Sequence, residues 1–132
     1  MEPRISFVTL GVADLDRATR FYREGLRLPR LKSPPTVSFF ELGAIRLALY
    51  PHELLAADAG VPSTRSGFRG FTLSHNVRSQ SEADHLLLEV DAAGGRIVRP
   101  AAPTTGGGYA GYFAEPDGFL WEVAWNPKFP EG

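Results

Sequence analysis

The chain has 132 residues, 43% of them hydrophobic, which fits one soluble domain able to bury a core of its own. Fourteen Lys and Arg against fifteen Asp and Glu leave a formal net charge of −1, without the basic excess that binding a phosphate backbone requires, so no nucleic-acid partner is expected. The lack of cysteine excludes disulfides, thiolate nucleophiles and Cys-ligated metal centres. Met1-Glu-Pro-Arg-Ile-Ser-Phe7 has no basic stretch leading into an apolar core, and no apolar run reaches bilayer length. A cytoplasmic protein with no membrane partner is therefore the expectation.

From Ile5 to Val12 the chain alternates with period two, which predicts a strand. Asp14 is a good N-cap for a helix carrying Leu15, Ala18, Phe21, Tyr22 and Leu26 on one stripe, closed by Gly25 and Pro29. An extended piece at Leu28–Lys32, a turn at Ser33-Pro34-Pro35 and a strand at Thr36–Leu42 follow. Gly43-Ala44 then makes a tight hairpin into Ile45–Tyr50. Pro51 to Gly70 reads as a linker that can begin as one short helix.

The second half repeats the order. Phe71–Val77 is a strand, Ser79 and Glu82 have capping-box spacing, and Ala83, Leu86, Leu87 and Val90 form a helix stripe stopped by Gly94-Gly95. Arg96–Arg99 is extended, Ala101–Gly108 is a loop, Tyr109–Ala114 is a strand, Glu115-Pro-Asp-Gly118 turns, and Phe119–Trp125 is the last strand. The expected fold is α+β: two tandem βαβββ modules, at residues 4–50 and 71–126 with the linker at 51–70, forming a cupped mixed sheet.

Strand parity separates the two faces. Val8, Leu10 and Val12, then Phe71, Leu73 and Val77, then Trp121, Val123 and Trp125 are the sets a helix would cover. Phe7, Thr9 and Gly11, Thr72, Ser74 and Asn76, and Leu120, Glu122 and Ala124 face the other way. A carboxylate between apolar neighbours is costly to bury unpaired, which singles out Glu122. It is either a structural group paired with an arginine such as Arg46 or a functional one.

Thr9-Leu-Gly-Val-Ala-Asp-Leu15 with Phe21-Tyr22, and Gly111-Tyr-Phe-Ala-Glu-Pro-Asp-Gly118 leading into Leu120-Trp-Glu-Val123, resemble the vicinal oxygen chelate superfamily. That group includes glyoxalase I, bleomycin-resistance proteins and extradiol dioxygenases. The resemblance covers nearly the whole chain and implies the glyoxalase/bleomycin-resistance/dihydroxybiphenyl-dioxygenase-like fold, a small-molecule ligand and a homodimer. Metal-using members carry His, Gln or Glu at four inward positions. Carried over one at a time, these fall on Phe7, Leu47, Thr72 and Glu122, of which only Glu122 keeps the family's type. No cofactor is therefore expected, and a divalent metal is disfavoured. If a metal binds, Glu122 would hold it with His75, provided that a slip in the strand brought the imidazole round. His52 and His85 read as solvated surface residues.

The resemblance and the strand parity together imply an apolar or aromatic ligand contacting Phe7, Thr9, Phe39, Leu47, Thr72, Ser74, Tyr112 and Glu122. The glycine-rich loop Thr104–Tyr109 is expected to contact the ligand or act as a lid. The alternative is a lyase, isomerase or dioxygenase in which Glu122 is the catalytic base or the lone retained metal ligand.

Overall fold

The computed structural model describes residues 1–129. The chain divides into two compact units, one ending at Ser66 and the other beginning at Gly67. Each unit holds a four-stranded mixed sheet and a packed helix, so the α+β class and the tandem βαβββ order are both present.

In the first unit, β1 (Phe7–Val12) runs parallel to β4 (Ile45–Pro51), which pairs antiparallel with β3 (Ser38–Leu42), followed by the two-residue β2 (Arg30–Leu31). Asp14 caps α1 (Leu15–Arg20) by accepting from the Arg17 amide at 3.0 Å. The helix then widens into a π-helical turn at Phe21–Gly25, where the Leu26 amide reaches back five residues to the Phe21 carbonyl. Phe21 and Tyr22 are both buried there, with Leu10, Val12, Phe40, Leu47 and Leu49. Each such large side chain contributes about 1.5–3 kcal/mol when fully buried. The Thr19 hydroxyl lies 2.7 Å from that of Ser38, which places Ser38 on the helix-covered face of β3.

The helix expected at the start of the linker forms as α2 (His52–Ala59). It lies against β1 at Gly11, where an added Cβ would stand 2.9 Å from His52 Nδ1. His52 is not the solvated residue expected from the sequence: its Nε2 lies 2.7 Å from the Ser63 carbonyl oxygen.

In the second unit, β5 (Leu73–Val77) runs parallel to β8 (Leu120–Trp125), followed by antiparallel β7 (Tyr109–Ala114) and β6 (Arg96–Pro103). This is the strand order of the first unit. Between β5 and β6 lies α3 (Gln80–Ala92). Its N-terminus modifies the expected capping box: Ser79 accepts from the Glu82 amide at 3.0 Å, but the Glu82 carboxylate takes the amide of Arg78 rather than that of Ser79. Ala83, Leu87 and Val90 pack the helix onto Phe113, Trp121 and Val123, with the Phe113 and Trp121 rings stacked at 6.2 Å.

The expected loop at Ala101–Gly108 is shorter, because β6 continues to Pro103 and only residues 104–108 turn. β6 is the edge of its sheet, which is where prolines such as Pro100 and Pro103 are tolerated in a strand. No helix among the described residues is long and apolar enough to cross a membrane.

Candidate functional site

Side-chain parity makes one face of the second sheet helix-covered and leaves the other without a helix of its own unit. Across this uncovered face, register aligns Ser74, Glu122, Tyr112 and Arg99 in one row, one residue from each strand. The Ser74 hydroxyl donates to Glu122 Oε1 at 3.0 Å, and the Tyr112 hydroxyl donates to Oε2 at 3.1 Å. The phenol pKa of Tyr112 is raised, first by desolvation and then by its bond to Glu122, against an opposing effect from the Arg99 charge.

The next row consists of Asn76, Ala124, Ala110 and Ala102. Its small side chains leave room above the sheet. A pocket of about 210 Å³ lies there, lined by Asn76, Ala110, Ala124, Trp125 and Phe129, with Glu122 at its edge. Thr104, Gly106 and Gly108 form its rim, so the glycine-rich turn does border this space. The turn is held by its own bonds, the Thr104 amide to the Gly108 carbonyl at 2.9 Å and the Gly108 amide to Thr104 Oγ1 at 3.0 Å. Beside it, the Tyr109 hydroxyl donates to Asp84 Oδ1 at 2.7 Å and ties the start of β7 to α3.

Ser74, Tyr112 and Glu122 are thus brought together as expected. Thr72 is not in that row: it is exposed and lies ahead of β5, which begins at Leu73. In the first unit Phe7, Thr9 and Phe39 share the face not covered by α1, with the Phe7 and Phe39 rings 5.6 Å apart. Arg46 is on the same face, over the Phe7 ring and 3.9 Å from Glu41 Oε2.

Leu47 corrects the sequence reading. It is fully buried and paired with Val8 and Phe40, on the face that α1 covers. The equivalent of Glu122 follows from the parallel pairs instead: Thr9 faces Ala48 as Ser74 faces Glu122. Ile45–Tyr50 and Leu120–Trp125 are equally long but offset by one residue in register, and a shift of one exchanges the two faces of a strand.

His75 supplies a second correction. It pairs in regular register with Val123, so its side chain projects from the face opposite Glu122 and the strand slip needed to join them is absent. Among the described residues no three His, Cys, Asp or Glu side chains converge on a point. The uncovered face of the second sheet offers one carboxylate with hydroxyls, and the face of the first sheet opposite α1 offers Phe7, Arg46 and Glu41. Neither set suits a divalent cation.

The sequence reading missed Arg99 and Glu115. Glu115 is buried, and its Oε1 accepts the amides of Asp117 at 2.7 Å and Phe119 at 3.0 Å, holding the turn before β8. Its signal was the Glu-Pro-Asp-Gly turn itself. Arg99 had no local signal, because what places it is an irregularity in the pairing of β6.

Residues 4–123 match the model of the Glyoxalase/Bleomycin resistance protein/Dioxygenase superfamily. A lactoylglutathione lyase of Arabidopsis thaliana is 28% identical over 97% of this chain, which spans about half (46%) of that protein's length. A glyoxalase-related enzyme from Fulvimarina pelagi is 38% identical and superimposes with a TM-score of 0.87 over 95% of this chain and 89% of its own. A lactoylglutathione lyase from Agrobacterium tumefaciens, 24% identical, shares the fold over 100% of both chains with a TM-score of 0.74.

Proposed function

The chain belongs to the glyoxalase/bleomycin resistance protein/dioxygenase superfamily, and from that premise we propose that it binds a small molecule with an apolar or aromatic body, anchored by Glu122 and needing no resident metal. The observation that carries this reading is a carboxylate steadied by two hydroxyls at the edge of an alanine-floored pocket. An ionised carboxylate accepts at about four lone-pair sites, and Ser74 and Tyr112 use two of them. The remaining sites suit an O–H or N–H of the ligand, while Ala110, Ala124 and Trp125 suit its apolar body.

The test is mass spectrometry of small molecules released from purified protein, wild type beside Glu122→Gln. A compound of this class should leave the wild type in stoichiometric amount and be depleted in the variant. Equal release from both would remove Glu122 from the reading.

A second reading draws on the Arabidopsis relative named as a lactoylglutathione lyase. Here the protein is a lyase, isomerase or dioxygenase in which Glu122, which no cation of the row bonds, is the base or lone metal ligand. Turnover of lactoylglutathione by the wild type and none by Glu122→Gln would favour it.

A further inference from the structure

The pairing of β6 with β7 shifts register twice in succession, between Ile97 and Arg99 and again between Arg99 and Ala102. Ile97 faces Phe113, Arg99 faces Tyr112 and Ala102 faces Ala110, so five residue steps on β6 span three on β7. A regular ladder from Ile97 would set Val98 across from Tyr112. Such bulges re-aim side chains, and here the residue brought opposite Tyr112 is a cation.

Gly111 makes room for the second of these shifts, the one that follows Arg99. A Cβ there would lie 2.8 Å from the Ala101 nitrogen, 2.9 Å from the Ala101 Cα and 2.9 Å from the Arg99 carbonyl oxygen. All three are backbone atoms, so no side chain can turn away to make room. A glycine on β7 therefore lets the β6 backbone fold in against it directly after Arg99, which keeps Arg99 in line with Tyr112.

The row then reads carboxylate, phenol, guanidinium. Two strand spacings of about 4.8 Å separate the backbones of Glu122 and Arg99, with Tyr112 between them. Glu122 takes hydrogen bonds from Ser74 and Tyr112, and Arg99 has no ion pair among the described residues. The two opposite charges are held apart on one face, as a ligand with two polar ends would require.

We propose that Arg99 is the anion-recognising residue of this face, and that the ligand is a small hydroxylated acid whose carboxylate or phosphate oxygens pair with the guanidinium while its hydroxyl donates to Glu122. A guanidinium fork matches either oxyanion. The inference rests on the binding role given above to Glu122 and adds the ligand's charge.

Three probes test it by isothermal titration calorimetry: para-hydroxybenzoate, para-hydroxyphenyl phosphate and the neutral para-hydroxybenzamide. At least one anionic probe should bind roughly tenfold more tightly than the amide, and the stronger of the two identifies the oxyanion. Arg99→Gln should abolish this preference, whereas Glu122→Gln should weaken all three probes. Gly111→Ala should lose the preference together with the bulge, and Arg99→Gln decides the matter if that variant does not fold. If Arg99→Gln keeps the preference while Glu122→Gln still weakens binding, the inference falls and the binding role of Glu122 survives. If the wild type takes up no probe at millimolar concentration, or Glu122→Gln changes none, both fall.

Discussion

Glu115 and Glu122 lie seven residues apart in the sequence and do different work. Glu115 is buried and committed to backbone amides of its own turn, whereas Glu122 is half-buried on an uncovered face with two hydroxyls as partners. Glu122 was legible in the sequence because a charge interrupted an apolar alternation. Glu115 is marked in the sequence only as the first residue of a turn, and its burial depends on how that turn is packed. The bond from Tyr112 also has a pH consequence. Its phenol pKa is raised above 10.0 in the folded state, so the folded chain holds that proton to higher pH than the unfolded one. The contribution to stability is therefore full below pH 10.0 and is lost as pH rises through the folded value. A spectrophotometric titration of tyrosinate should show Tyr109 and Tyr112 among the late-ionising tyrosines, and Tyr112→Phe should remove one of these.

At the scale of elements, caps and turns were the most readable features. Asp14, Ser79 and Gly43 each stand where local geometry calls for that residue type, and each holds its expected place. Strand pairing was less readable, because register is a relation between distant segments. Hence Leu47 lies on the face opposite the one its sequence suggests, Thr72 precedes a strand that starts one residue later, and β6 runs on past Pro100 to Pro103. The contact of α2 with β1 belongs to the same class. Nothing local marks Gly11, yet a Cβ there would stand 2.9 Å from His52 Nδ1 and 3.2 Å from its Cα. The bond of His52 to the Ser63 carbonyl keeps the ring from turning aside. Gly11→Ala should accordingly cost about 1–3 kcal/mol by overpacking, read as a lower denaturant midpoint with an unchanged slope.

Over the whole molecule, the repeat of strand order was legible and its divergence only in part. Both sheets have the same topology, but the face of the first opposite α1 carries Phe7, Phe39 and an Arg46–Glu41 pair, and the face of the second opposite α3 carries the Glu122 row. The chain has three histidines and no cysteine. His52 is bonded to Ser63, His85 Nδ1 lies 3.2 Å from the Ser81 carbonyl, and His75 projects away from Glu122. Protein dialysed against chelator and titrated with Ni, Zn, Mn or Fe(II) should therefore take up no stoichiometric metal. One-to-one uptake that disappears in Glu122→Gln would refute that expectation. The alternation along β8 has a longer reach. Trp121 and Val123 belong to the core, while Glu122 and Ala124 border the pocket. Neighbouring residues thus carry separate constraints, one set packing the core and the other shaping the pocket. Enlarging Ala110 or Ala124 should therefore shrink the pocket and leave Trp121 and Val123 in place, so the space above the sheet can be recut without touching the core.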